Sequence, residues 1–202
     1  RNYDSSVQRG SLAESAMQER LARIEPALEW SRLAAADLII EAVFEDFEVK
    51  RGVLERLDAI ARPGAILATN TSYLDVARLA ACTRRPAEVI GMHFFSPANV
   101  MRLLENVRTP QTAADVQATV MQVGRRLGKV AVMVGGSDGF VGNRMLAQRT
   151  REACFLLEEG ALPQQVDRVL LGFGMPMGPF QMGDLAGLDI GSARTTAIIA
   201  EV

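Results

Sequence analysis

The feature that most constrains this chain is the alternation of short apolar runs with helical patterns through its first half. This pattern is typical of a parallel sheet covered by helices, because each parallel strand needs a crossover that packs on the sheet. The stretch 47–61 has an apolar face opposite its charges and predicts such a crossover helix, which Arg62-Pro63-Gly64 ends. The candidate strands are residues 24–30, 37–43, 65–69, 89–94 and 129–134.

From Phe140 onward the strand signals disappear, and the pattern predicts helices near 140–159, 163–172 and 191–201. We place a domain boundary near residues 135–138, which divides the chain into an α/β unit at 1–136 and an all-α unit at 137–202. The run 135–139 follows a strand and opens a helix, as a phosphate loop would. It lacks the G-x-G-x-x-G spacing, so an interdomain turn in which Asp138 caps the next helix is the favoured interpretation.

Composition excludes several classes of protein. A formal net charge of -2 and a pI near 5.6 give no basic surface for nucleic acid. The apolar runs are far shorter than the roughly 20 residues of a spanning helix. Cys82 and Cys154 are too few for a disulfide framework, so we expect both to be reduced and one or both buried, which favours a cytoplasmic location over export. The chain starts at Arg1 and stops inside a helical pattern, so both ends are expected to be cut.

His93 is the only histidine and ends an apolar strand. In doubly wound sheets the ligand crevice lies beyond the carboxyl ends of the strands, so a titratable group there can face a site. Glu105 follows 12 residues later, at the end of a short apolar run. A carboxylate that orients an imidazole forms a general base. A structural histidine and a solvated glutamate are the alternatives, and one histidine with scattered carboxylates predicts no metal site.

Asn70-Thr71-Ser72 also ends a candidate strand at its carboxyl end. Its amide and hydroxyls could hold a substrate oxygen or a cofactor carboxamide. An ordinary turn is the alternative.

Together these segments resemble the L-3-hydroxyacyl-CoA dehydrogenase family, most closely the dehydrogenase part of multifunctional fatty-acid oxidation proteins. The matching segments cover nearly the whole chain: ADLIIEAVFE at 36–45, ATNTSYL at 68–74, GMHFFSP at 91–97, VMRLLE at 100–105, DGFVGNR at 138–144 and PMGPF at 176–180. The resemblance implies a Rossmann-type, mainly parallel sheet followed by the family's all-α C-terminal domain.

The resemblance also implies roles for individual residues. His93 would be the catalytic base and Glu105 its orienting partner, while Ser72 and Asn143 would bind the substrate. The cofactor would be NAD, with its nicotinamide half held by a larger set of side chains: Ala42, Glu45, Lys50, Asn70, Ser72 and Ser96. The reaction would oxidise an L-3-hydroxyacyl-CoA to a 3-ketoacyl-CoA in fatty-acid β-oxidation.

The chain departs from the family's pattern in three places. Some members carry asparagine where this chain has Ser96, and Asn99 stands where close relatives carry histidine. The family opens with a strand, a G-x-G-x-x-G turn and a helix, which this chain lacks. The α/β unit is therefore expected to be incomplete without its first βαβ segment, the helical domain to be truncated at its end, and NAD binding to be impaired.

Other functions remain open at this point. The chief alternative is a non-catalytic fragment that binds acyl-CoA but has lost NAD capture. Another is a related dehydrogenase that acts on 3-hydroxybutyryl-CoA only or on a hydroxy acid without CoA. The resemblance further implies a homodimer through the helical domain, and fusion to an enoyl-CoA hydratase domain in the intact protein.

Overall fold

The computed structural model describes residues 2–186 and contains one sheet flanked by helices. Its strands lie side by side in chain order: β1 (Leu38–Glu41), β2 (Ile66–Thr69), β3 (Val89–Phe94), β4 (Leu103–Arg108) and β5 (Val130–Gly135). All neighbours pair in parallel except β3 and β4, which are antiparallel. The mainly parallel sheet predicted from the alternating pattern is confirmed.

Eight α-helices are present within the described residues: α1 (Asn2–Gln8), α2 (Glu14–Leu21), α3 (Phe47–Ile60), α4 (Val76–Ala81), α5 (Ala114–Arg126), α6 (Gly142–Glu158), α7 (Pro163–Phe173) and α8 (Pro179–Ala186). Short 3-10 turns occur at Trp30–Leu33 and Pro86–Glu88. The predicted helices at 47–61, 140–159 and 163–172 correspond to α3, α6 and α7. The one predicted at 191–201 lies outside the described residues.

The two faces of the sheet bury separate apolar clusters. On one face α3 packs against residues such as Ile39 and Leu67, and Leu79 of α4 joins the same cluster. On the other face Val116 and Val120 of α5 cover the cluster that includes Met92, Ile90 and Leu104. Because side chains alternate along a strand, Met92 and His93 point to opposite faces, so His93 lies on the face that α5 does not cover.

The strand predicted at 24–30 is wrong, because residues 24–29 form no regular element and a 3-10 turn begins at Trp30. Pro26 has no N–H to donate to a ladder, and none of the five strands found within residues 2–186 includes this segment. Ile24 is 62% exposed and Leu28 is 93% exposed, so the apolar residues that suggested a strand do not join the core.

The sequence pattern did not identify β4, and the alternative that Glu105 is a solvated residue at a strand end is wrong. Glu105 lies inside the strand and is fully buried, as is Asn106 beside it. These two consecutive polar residues break the apolar pattern that marks a buried strand. Their burial depends on partners distant in sequence, which the local pattern does not show.

Two smaller expectations also fail. Asp138 is not the N-cap residue of α6, because that helix begins at Gly142 and its N-cap is Val141. The expectation that one or both cysteines are buried is wrong, because Cys82 is only half-buried and Cys154 is exposed. Among residues 2–186, no helix is long and apolar enough to span a membrane.

Candidate active site

The candidate site lies at one edge of the sheet. β1, β2 and β3 run parallel, so their carboxyl ends meet at that edge. Glu45 follows β1, Asn70 and Ser72 follow β2, and His93 lies next to the last residue of β3. The antiparallel β4 starts near this edge and brings Glu105 to it.

His93 and Glu105 are direct cross-strand neighbours in the β3–β4 ladder. The imidazole Nδ1 lies 2.9 Å from Oε2 of the carboxylate, and His93 is 5% exposed while Glu105 is fully buried. Gly91 helps the strands approach, because a Cβ there would lie 2.8 Å from the Cβ of Val107. The antiparallel register therefore explains how a separation of 12 residues becomes a contact.

The second oxygen of Glu105 binds the start of α6. Oε1 accepts hydrogen bonds from the backbone N–H groups of Val141 and Gly142, at 3.0 and 2.9 Å. Burial alone would raise the pKa of Glu105, but the hydrogen bonds from His93, Gly142 and Val141 outweigh it and lower the pKa below its ordinary value. The carboxylate is thus held ionised while it joins the sheet to the first helix of the helical region.

The charge on Glu105 decides which nitrogen of His93 carries the proton in the neutral ring. An ionised carboxylate only accepts hydrogen bonds, so Nδ1 must be the donor across the 2.9 Å contact. Nε2 then carries the lone pair, and it makes no hydrogen bond to residues 2–186. The ring is in the tautomer that a general base requires.

Aromatic side chains surround the imidazole. The ring of Phe95 lies 4.4 Å from that of His93 and the ring of Phe140 lies 5.7 Å away, centroid to centroid. Phe140 has a φ of 48°, a left-handed backbone that is rare for a bulky residue, and it directly precedes the amides that Glu105 binds. Gly142 leaves room for Phe95, since a Cβ there would lie 2.7 Å from Cζ of that ring.

A buried ion pair between Glu41 and Lys50 contacts the loop that follows β1. Nζ of Lys50, on α3, is 3.1 Å from both carboxylate oxygens of Glu41 and 3.3 Å from the carbonyl oxygen of Val43. Glu41 also accepts hydrogen bonds from the hydroxyl of Thr69 and from the N–H of Val43. Lys50 is fully buried, and its ammonium lies 3.5 Å from Oε2 of Glu45.

Glu45 connects this ion pair to the loop after β2. Its Oε1 accepts hydrogen bonds from the hydroxyl of Thr71 at 2.6 Å and from the N–H groups of Ser72 and Tyr73 at 2.7 and 3.1 Å. Both oxygens of Glu45 are therefore engaged, one by the loop and one by Lys50. This side chain ties the carboxyl ends of β1 and β2 together.

The remaining predicted site residues differ in how closely they are connected. Oδ1 of Asn70 accepts the N–H of Phe94 at 2.9 Å, which links β2 to β3. Nδ2 of Asn143 lies 3.4 Å from the carbonyl oxygen of Ser72, which links the start of α6 to the loop after β2. Ala42 and Ser96 are exposed at the same edge and have no side-chain hydrogen bond within residues 2–186.

Sequence reasoning did not single out Glu41, Thr69, Phe95 or Phe140, or the backbone amides that Glu105 binds. Glu41 and Lys50 are nine residues apart on a strand and a helix, so no periodic pattern connects them. A carboxylate that ends a buried strand is itself a signal, because an ionised group there needs a partner. Among residues 2–186, no group of three or more His, Cys, Asp or Glu side chains is arranged to hold a metal ion.

Comparisons with family models match nearly the whole chain. Residues 1–137 match the model described as "3-hydroxyacyl-CoA dehydrogenase, NAD binding domain", and residues 139–201 match "3-hydroxyacyl-CoA dehydrogenase, C-terminal domain". Both the sheet and the helical region thus correspond to known family domains.

Similar proteins include a bifunctional enzyme, a multifunctional protein and a 3-hydroxybutyryl-CoA dehydrogenase of known structure. The chain is 53% identical over 165 residues to the peroxisomal bifunctional enzyme of Danio rerio, covering 82% of this chain and 23% of that protein. It is 37% identical to a peroxisomal fatty acid beta-oxidation multifunctional protein of Arabidopsis thaliana, covering 98% of this chain and 27% of that protein. A crystal structure of (S)-3-hydroxybutyryl-CoA dehydrogenase from Ralstonia eutropha superposes with a TM-score of 0.92 at 37% identity, covering 99% of this chain and 71% of that one. The chain therefore spans about a quarter of these two multifunctional relatives.

Proposed function

Because the chain belongs to the 3-hydroxyacyl-CoA dehydrogenase family, we propose that it forms the catalytic part of an enzyme that oxidises L-3-hydroxyacyl-CoA to 3-ketoacyl-CoA. The observation that carries the proposal is the buried His93–Glu105 pair, in which Nδ1 is held at 2.9 Å and Nε2 stays available. A hydroxyl group whose carbon loses a hydride must also lose a proton, and the arrangement provides a base for that proton.

His93 would take the proton of the 3-hydroxyl group on Nε2. The imidazolium that forms lies against the Glu105 carboxylate, which stabilises it more strongly in a buried site than solvent-screened charges would. The hydroxyl of Ser72 would bond the reacting oxygen, and Asn143 would help to position the acyl thioester. Such a base typically contributes about 10²- to 10⁴-fold, and alignment of the reactants supplies much of the rest.

Residues at the sheet edge suit the nicotinamide half of NAD, which when bound supplies the acceptor for the hydride. Oδ1 of Asn70 is occupied by Phe94, so its Nδ2 is the group left to donate to a carboxamide oxygen. Ala42 and Ser96 are exposed there and would border the ring, together with Ser72. Lys50 and Glu45 already bind each other and their neighbours, so we propose that they support this surface from below.

The pyrophosphate half of NAD has no equivalent set, since residues 2–186 contain no G-x-G-x-x-G turn. We propose that 1–136 is an incomplete NAD-binding domain and 137–202 a truncated helical domain. This chain should bind NAD weakly, whereas a form extended upstream by the size of a βαβ unit, about 30 residues, should bind it well. Calorimetric titration compares the two forms, and micromolar binding by the short chain would show that other residues hold the cofactor.

The direct test of the reaction is NADH production from an L-3-hydroxyacyl-CoA by the extended form. The L substrate should be oxidised and the D substrate should not. A form that binds both NAD and acyl-CoA yet gives no product would favour the alternative, a non-catalytic acyl-CoA-binding domain. Comparison of short and long acyl chains, and of hydroxy acids without CoA, separates the remaining dehydrogenase activities.

We further propose that the intact protein carries an enoyl-CoA hydratase domain and that the helical region supports a homodimer. Sequencing the gene upstream of Arg1 tests the first proposal, and sedimentation of the extended form tests the second. The predicted cytoplasmic location stays a prediction, because the two multifunctional relatives are both named as peroxisomal proteins. Imaging of the tagged intact protein distinguishes these compartments.

A further inference from the structure

Glu41 is a buried carboxylate that touches none of the residues assigned to the reacting groups. It ends β1, is 5% exposed, and receives hydrogen bonds from Lys50, Val43 and Thr69. No oxygen of Glu41 is left to face a substrate, because both oxygens are bound by the ammonium and each accepts a further donor. Any effect on the reaction must therefore act through its partners.

Lys50 is placed where its charge is costly. Its side chain is fully buried, and its backbone lies near the N-terminus of α3, where the partial positive charge of the helix disfavours a cation. Two carboxylates compensate: Glu41 at 3.1 Å and Glu45 at 3.5 Å. Because a buried ion pair is a weak source of stability, the pair is better explained by the geometry that it imposes.

That geometry reaches the substrate side of the site through Glu45. One oxygen of Glu45 is 3.5 Å from the Lys50 ammonium, and the other binds the Thr71 hydroxyl and the N–H groups of Ser72 and Tyr73. The side chain of Glu45 is partly exposed, so its orientation depends on these fixed partners at both ends.

We propose that Glu41 is a positioning residue: through Lys50 it fixes Glu45, which in turn holds the 71–73 loop and places Ser72 for the reaction. The inference deepens the proposed function and rests on it for the role of Ser72. Loss of the Glu41 charge lets the ammonium shift and loosens Glu45, so the loop should become mobile while the fold remains.

The first experiment is amide hydrogen exchange on this chain with Glu41→Gln. In this variant the new NH₂ group faces the Lys50 ammonium, which places donor against donor. Exchange at Ser72 and Tyr73 should become about tenfold faster or more than in the parent chain, with much smaller changes in α5. Asp58→Asn is the matched control, because Asp58 is also 5% exposed and ion-paired but lies at another site.

Equal protection of Ser72 and Tyr73 in Glu41→Gln and the parent chain would overturn the proposal, as would equal acceleration in the Asp58→Asn control. If Glu41→Gln does not fold, the double variant Glu41→Gln with Lys50→Met removes both charges and the conflict between donors. It still deprives Glu45 of its cation, so faster exchange of the loop is expected again. Parent-like exchange at Ser72 and Tyr73 in the double variant overturns the relay.

The second readout is kinetic and uses the form with a complete NAD-binding domain. Glu41→Gln should lower kcat about tenfold and leave KM for the acyl-CoA nearly unchanged, since misplaced reacting groups cost turnover more than binding. Asp58→Asn should leave both constants unchanged. Loss of kcat in both variants would mark a merely structural effect and contradict the inference. If the parent protein is itself inactive but Glu41→Gln still exchanges faster at 71–73, the relay through Lys50 and Glu45 stands and only the proposed function is refuted.

Discussion

Two buried carboxylates in different elements, Glu105 on β4 and Asp58 on α3, are kept ionised by different partners. Burial raises the pKa of each, and hydrogen bonds reverse the effect so that each pKa falls below its ordinary value. Asp58 on α3 is bound by Arg84 and Arg85, with Nε atoms at 2.9 and 2.8 Å. Glu105 is bound by His93 and by the N-terminus of α6.

The difference between the partners decides what each carboxylate can do. Arginine stays protonated at any ordinary pH, so the Asp58 region is a fixed cluster of charges that joins α3 to residues 84–85. The imidazole of His93 has a ring nitrogen that can accept a proton from a substrate, so the Glu105 region can act as a base. Burial of a carboxylate and a lowered pKa therefore do not by themselves indicate a functional site.

The largest effect that separates the Glu105 region from the Asp58 region is expected for His93→Ala, in the form with a complete NAD-binding domain. We expect kcat to fall at least about 10²-fold, because a general base is removed, while substrate affinity changes much less. Asp58→Asn should leave kcat unchanged in the same steady-state assay. An alanine variant with parent-like turnover would exclude His93 as the base and remove the distinction between the two regions.

Glu105→Gln should lower kcat by about tenfold or more and leave the fold in place. The glutamine oxygen can still accept from the α6 amides, but its NH₂ then faces Nδ1 and moves the ring proton to Nε2. Nitrogen-15 NMR of the ring should report this change of tautomer. Unchanged ring nitrogen signals would contradict the pairing across the 2.9 Å contact.

Asp58→Asn should act on stability alone. The amide loses charge-assisted hydrogen bonds to Arg84 and Arg85, and we expect the free energy of unfolding to fall by about 1 kcal/mol. Denaturant titration provides the measurement. A loss of turnover without a loss of stability would show that the Asp58 cluster communicates with the site.

The smallest effect is the acid dependence of stability. The pKa of Glu105 in the fold lies below its ordinary 4.5, so its stabilising contribution is complete above that value and is lost as the pH falls through the lowered pKa. The stability advantage of the parent chain over Glu105→Gln, measured as the difference in unfolding free energy, should therefore shrink as the pH falls into the acid range. A difference that grows on acidification would mean that Glu105 is protonated in the native state.

Sequence reasoning succeeded where one element carries its own signal. The runs at 65–69 and 89–94 are mainly apolar and appear as β2 and β3, and the amphipathic stretch at 47–61 appears as α3. It failed for β4, whose centre is polar, and for residues 24–30, whose apolar side chains find no partner. Local composition reports what a segment prefers, whereas burial of a charge is decided by distant groups.

The same limit applies to the site. The residue types of His93 and Glu105 and the family resemblance together suggested a catalytic pair. Their contact depends on the antiparallel register of β3 and β4, which no spacing rule predicts. The two hydrogen bonds that Glu105 accepts at the start of α6 come from residues that are 36 and 37 positions later in the chain, and the sequence did not predict them. The Glu41–Lys50 pair was also missed, because no spacing pattern connects a strand residue with a helix residue nine positions later.

The cross-strand pairing of His93 with Glu105 also limits which changes of length this chain tolerates. The connection between β3 and β4, residues 95–102, lies outside the ladder, so an insertion beyond Phe95 and Ser96 leaves the strand register unchanged and adds loop-closure entropy. A single residue added inside β3 or β4 would turn the side chains on one side of the insertion, within that strand, to the opposite face of the sheet. Insertions meant to reshape this region therefore belong in the connection away from Phe95 and Ser96, because an insertion in the ladder would separate His93 from Glu105.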